Sequence, residues 1–136
     1  MTPPGGAAIL GLDPGTRKCG YALVTSVGAP PVTLGIAPLE ALRERLRELL
    51  AGTPVAVAAI GRGTNAAAVV EIVRTLGLRA ELVDERETTL LARARYFVDH
   101  PPRGWRRLIP RGMLLPDRPI DDYAALLIAE RYLKAS

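Results

Sequence analysis

The chain has 136 residues, 49% of them apolar, with 18 basic against 14 acidic side chains and a formal charge of +4. That length builds one domain with a real core and is too short for two doubly wound halves, so residues 1 to 136 are read as a single domain. A single cysteine, Cys19, excludes an internal disulfide, and no segment opens as a signal sequence or could span a bilayer; a cytoplasmic protein is expected, with enough basic excess to make a polyanion a reasonable partner.

Residues 1 to 6, with two prolines and two glycines, read as a loose leader. The first strand is expected at about 7 to 12, ending on Asp13, and Pro14 and Gly15 then set the angles of a tight reversal. A second strand follows at about 19 to 25. After the turn from Gly28 to Pro31, Val32, Leu34 and Ile36 alternate with smaller residues as a half-buried third strand. Short turns between these three predict antiparallel pairing. Pro38 begins a helix carrying Leu39, Leu42, Leu46 and Leu49 at helical spacing, which Gly52 stops.

The wholly apolar run 55 to 60 suggests a strand buried on both faces and parallel to its neighbour. A helix at about 65 to 76 follows, with Ala66, Val69, Val73 and Leu76 inward, then a fifth strand at about 79 to 83. The next helical pattern has an inner stripe of Leu90 or Leu91, Ala94, and Phe97 or Val98. Five prolines, two glycines and five arginines then break the pattern between Asp99 and Pro119, and a loop of that length in a compact domain is usually functional or mobile. A last helix, about 120 to 134, opens on Asp121 and Asp122.

Acidic residues thus stand in three places that strand ends could bring together: Asp13, the pair Asp84-Glu85, and the pair Asp121-Asp122. Converging carboxylates are what one or two Mg²⁺ or Mn²⁺ ions require, because hard cations take oxygen ligands. Each pair at a helix start could equally serve the helix dipole. Residues 121, 125, 128 and 132 share one helical face, so Asp121 lies over the side that packs on the sheet, whereas Asp122 points about 100° away and ranks second.

Three motifs, Leu12-Asp13-Pro14-Gly15-Thr16-Arg17 with Gly20, Asp84-Glu85-Arg86-Glu87-Thr88-Thr89, and Ile120-Asp121-Asp122-Tyr123-Ala124-Ala125, occur in that order over most of the chain. In them the chain resembles the YqgF, or RuvX, family of Holliday-junction resolvases and pre-16S rRNA nucleases, relatives of the RuvC resolvases in the ribonuclease H-like fold. The resemblance implies an α/β fold: a mixed five-stranded sheet, its first three strands antiparallel, with helices on both faces. It also implies a metal-dependent phosphodiester cut in structured or single-stranded nucleic acid. Asp13, Glu85 and Asp121 match the catalytic acids, with Asp122 a further metal ligand. Thr16, Arg17, Lys18 and Arg86 would meet phosphates.

The segment between the second and third motifs is longer than in that family, and Arg106, Arg107 and Trp105 there suit phosphate contact and base stacking. His100 is read as a surface residue. Because the RuvC resolvases work as dimers, a homodimer is carried as an expectation.

Two other readings compete. Gly61-x-Gly63-x-x-Ala66 after an apolar strand, with Asp84 about twenty residues on, has the spacing of a dinucleotide-binding fingerprint. A non-catalytic nucleic-acid-binding module of the same fold would use its acids only to cap helices.

Overall fold

The computed structural model describes residues 7–84, 88–110, 115–116 and 118–135. Strands and longer helices follow in the expected order: β1 (Ala8–Pro14), β2 (Lys18–Val24), β3 (Thr33–Pro38), α1 (Leu39–Gly52), β4 (Val55–Gly61), α2 (Ala66–Thr75), β5 (Ala80–Val83), α3 (Thr88–Asp99) and α4 (Asp121–Ala135). The sheet runs β3-β2-β1-β4-β5. β1 pairs antiparallel with β2, and β2 with β3, whereas β4 is parallel to β1 and β5 to β4. This is the mixed sheet that the pattern and the resemblance predict. The dinucleotide fingerprint does fall in a parallel unit, β4-α2-β5, but among the described residues no further strand follows β5, so the second mononucleotide half that a dinucleotide needs is not built.

The alternation of side chains along a strand divides the core in two. Leu10 and Leu12 of β1, with Tyr21 and Leu23 of β2, pack beneath Leu42 and Leu46 of α1 and Val69 and Val73 of α2. Ile9, Ala22 and Val24 belong to the opposite face, where Ala125, Leu126 and Ile128 of α4 cover them. By the same alternation Gly11 and Asp13 of β1, and Lys18 and Gly20 of β2, lie on the α4 face.

Glycine at two of these positions sets the position of α4. A Cβ on Gly11 would fall on the Ala125 carbonyl oxygen and lie 2.9 Å from the Ala129 Cβ. A Cβ on Gly20 would fall on the Asp121 carbonyl and reach the Asp122 nitrogen at 2.8 Å. The helix backbone therefore rests directly on two strands. Gly20→Ala is expected to lift the first turn of α4 and to destabilise the protein by about 1–3 kcal/mol, as overpacking does, measurable by urea unfolding.

α3 departs from the expected stripe. Its buried positions include Thr88, Ala92, Tyr96 and Phe97, while Leu90, Leu91 and Val98 are exposed, Val98 at 72%. Leu90, Ala94 and Val98 are as regularly spaced as Thr88, Ala92 and Tyr96, so periodicity alone permits either phase. Tyr96 decides it: its ring packs edge-on against Tyr123 at 5.6 Å and against Phe97 at 5.2 Å, and these contacts turn its face of the helix inward.

The long irregular segment contains a short 3-10 helix, Gly104–Leu108, that the proline and arginine pattern had not suggested. Trp105 does not anchor it to the core, being 72% exposed. The fastening is Arg118, whose guanidinium pairs with Asp122 at 3.2 Å and lies 5.4 Å from the Tyr96 ring centre and 5.7 Å from that of Tyr123. Among the described residues no helix is long and apolar enough to cross a membrane.

Candidate active site

Asp13 remains inside the ladder of β1, paired in register with Gly20, so it is held by two strands and not by a turn. Directly over Gly20 sits the main chain of Asp121. The two acids are therefore brought to one place on the α4 face, although 108 positions separate them in the chain. Cys19, beside Gly20, senses both. Its thiol is pushed up to about 12, first by burial, then by the charge of Asp13 against a backbone hydrogen bond at Asp13 that lowers it, and last by Asp121. With its Sγ directed at the Gly20 carbonyl at 3.3 Å, this thiol is inert packing, as its sequence setting suggests.

Lys18 completes the group. Its Nζ lies 3.4 Å from Asp121 Oδ2, with the lysine side chain 44% and the aspartate 33% exposed. A cation is thus already drawn to the carboxylate, and one on a flexible stem that can turn to a phosphate. The turn before it is braced from two directions. Asn65, in the left-handed conformation (φ 63°) at the start of α2, donates to the Gly15 and Thr16 carbonyls at 2.9 and 3.1 Å. Leu39, at the start of α1, donates its N–H to the Arg17 carbonyl at 2.9 Å. Thr16 and Arg17 are exposed on this braced turn and, with Lys18, line an open cleft of about 600 Å³ against Pro38, Leu39 and Glu40.

Asn65 is a brace that the sequence reading missed. The available signal was an asparagine just ahead of a helix after Gly-Arg-Gly-Thr, since Asn is the residue, after glycine, that best tolerates left-handed backbone.

Asp122 is placed apart from Asp121, as the helix angle predicts. It is 5% exposed, held by both guanidinium nitrogens of Arg118 at 3.2 and 3.3 Å, and joined to the aromatic cluster instead of to Asp13. Beside it, burial and a 2.7 Å hydrogen bond donated to Asp99 hold the Tyr123 phenol well above its ordinary range.

Glu85, Arg86 and Glu87 lie outside the described residues, so the second motif is represented by Asp84, Thr88 and the backbone of Thr89. Asp84 follows β5, two strands from β1, and its carbonyl accepts a hydrogen bond from Arg131 of α4. Strands stand about 4.8 Å apart, so a side chain from the end of β5 must span roughly 10 Å to join Asp13. An acid at the end of β5 would share a divalent cation with Asp13 and Asp121, and such an ion would supply the charge that holds the three together. Among the described residues no group of three potential ligands is close enough to hold an ion. The donor chemistry of Asp13 and Asp121 nonetheless fits a hard divalent cation: two carboxylates, partly open to solvent, on rigid backbone.

Of the predicted phosphate contacts outside this group, Arg106 and Arg107 lie on the 3-10 helix. Arg106 donates to the Leu115 carbonyl, and Arg107 Nε donates to the Gly104 carbonyl at 3.3 Å.

Comparison with solved structures places this architecture. Thermus thermophilus RuvC superposes with a TM-score of 0.58 at 15% identity, over 93% of this chain and 92% of that one. RuvC of the same organism in complex with a Holliday junction substrate gives 0.58 at 17% identity, over 96% of both chains. No family profile and no curated protein sequence matches the chain. The fold is therefore that of the RuvC-like, ribonuclease H-like proteins. At this identity the likeness establishes the fold and leaves activity to the residues of the site.

Proposed function

We propose that this protein is a divalent-metal-dependent nuclease of the YqgF/RuvX type that cuts structured or single-stranded nucleic acid in pre-16S rRNA processing or Holliday junction resolution. The observation that carries the reading is the meeting of Asp13 and Asp121 across Gly20, in a fold that the chain shares with RuvC solved on a Holliday junction substrate. Asp13, Asp121 and Glu85 would hold Mg²⁺ or Mn²⁺, with Asp122 acting through the first turn of α4. When bound, such an ion supplies an activated water and charge stabilisation at the cleaved phosphodiester. Thr16, Arg17, Lys18 and Arg86 hold the phosphates next to the acids, and Arg106 and Arg107 hold a flanking stretch. We assign the protein to the cytoplasm from its lone cysteine, and keep a homodimer as the assembly that the resemblance to RuvC resolvases suggests.

The test is incubation of pure protein with labelled single-stranded RNA, single-stranded DNA and a four-way junction, in Mn²⁺ or in EDTA. Cleavage of at least one substrate in Mn²⁺ and of none in EDTA is expected. Binding without cleavage under every condition would instead establish the non-catalytic module.

Two further outcomes follow from the site. Lys18→Met removes a competing cation from Asp121. An exposed ion pair contributes about 0.2–1 kcal/mol, so Mn²⁺ affinity measured by calorimetry should rise by up to about fivefold while nucleic-acid affinity falls. Changing Arg106 and Arg107 together to Ala should weaken binding and reduce the slope of log affinity against log salt by about 1.4 to 1.8, the release expected for two phosphates. An unchanged slope would remove the 3-10 helix from the substrate path.

A further inference from the structure

A second concavity lies at the other side of the α4 start, where α3 ends. It has a volume of about 360 Å³, within the range of small-ligand sites, and its wall includes Tyr96, His100, Pro101, Asp99, Arg103 and Arg106. His100 stacks on Tyr96 with ring centres 4.5 Å apart and planes 15° from parallel, and its Nδ1 sits 3.2 Å from the Tyr96 carbonyl. Because His100 is exposed, the imidazole turns its far side to solvent as the top of a two-ring stack. Asp99 is oriented by the Tyr123 hydroxyl at 2.7 Å and offers carboxylate oxygen to N–H donors, while Arg103 and Arg106 line the same wall, Arg106 with one guanidinium nitrogen donated to the Leu115 carbonyl. Trp105, 72% exposed, stands between Gly104 and Arg106 on the adjoining 3-10 helix.

We infer that this cavity binds one unstacked nucleotide of a single strand, its base on the His100–Tyr96 stack and its phosphate on Arg103 and Arg106. The chemistry is specific to that ligand class: a flat aromatic platform, an acceptor for ring or exocyclic N–H groups, and paired cations within one small volume. A purely electrostatic groove would need no platform. The site rests on the reading of the protein as a nucleic-acid-binding enzyme and deepens it. Tyr123, which orients Asp99, is two residues past Asp121, so a nucleotide held here sets the register of the strand entering the acid pair.

Trp105 is the chain's single tryptophan and reports on occupancy. In EDTA, a short single-stranded oligonucleotide should quench its fluorescence saturably, and the same oligonucleotide with one central base removed should bind about tenfold more weakly, since stacking of one base commonly contributes about 5- to 150-fold in affinity. His100→Ala should erase that difference, and Arg103→Ala should weaken both ligands; both side chains are exposed, so these variants fold. Equal affinity for the intact and abasic strands, or a His100→Ala protein that still discriminates between them, overturns the inference. Discrimination in EDTA without any cleavage in Mn²⁺ would uphold the cavity and defeat the nuclease reading. Cleavage without discrimination would do the reverse.

Discussion

Asp13→Asn is expected to lower the single-turnover rate of cleavage at least about a hundredfold while changing stability by no more than about 0.5 kcal/mol. The substitution keeps the size and shape of the side chain and leaves the ladder pairing with Gly20 intact, because that pairing is made by backbone. It removes only a negative charge, and a hard cation depends on charged oxygen for most of its affinity. Loss of a residue that merely orients a ligand commonly costs about 10- to 100-fold, so loss of a ligand should do no less. The measurement pairs burst kinetics in Mn²⁺ with a Mn²⁺ titration by calorimetry. A substituted protein that still cuts within about tenfold of the wild-type rate would take Asp13 out of the metal site.

The largest effect on stability should come from Glu130→Ala. Glu130 is 4% exposed on α4, meets the Arg95 guanidinium at 3.0 and 3.3 Å, and accepts the N–H of Gly28 at 2.8 Å. One carboxylate thus joins α3, α4 and the turn between β2 and β3, where Gly28 has φ +82°. Removing it strands a largely buried guanidinium and an amide together, for an expected loss of about 3–5 kcal/mol, or about 10 °C or more in melting temperature. Calorimetry of the single variant against Arg95→Met with Glu130→Leu separates causes. The double variant should recover much of the loss, since an apolar pair leaves no buried charge. If the single variant melts within a few degrees of wild type, the three-way contact does not exist in solution.

The direction of strand pairing could be read from the chain because short turns force hairpins and helical crossovers force parallel pairing, and both were visible in the spacing of apolar runs. Asp121 could be placed on the sheet side of its helix from periodicity alone, and Asp122 away from it. The phase of α3 could not, because Leu90, Ala94 and Val98 satisfy the same period as Ala92 and Tyr96, and the choice is made by Tyr123, far along the chain. Glu130 reaching Gly28, or Asn65 reaching the Gly15 and Thr16 carbonyls, leaves no local trace: each pairs an ordinary polar residue with a backbone group in a distant turn. Contacts of that kind are specified by the finished fold, not by any window of the chain.

The seating of α4 on Gly11 and Gly20 has a consequence for tolerance to change. Where two carboxylates are spaced by rotamers of bulky side chains, every repacking of the interior shifts the gap between them. Here main chain abuts main chain, so the separation depends on the contact distance between two backbones and little on side-chain rotamers. Leucines and valines around the glycines can therefore be exchanged in size with little change in the spacing of the acids.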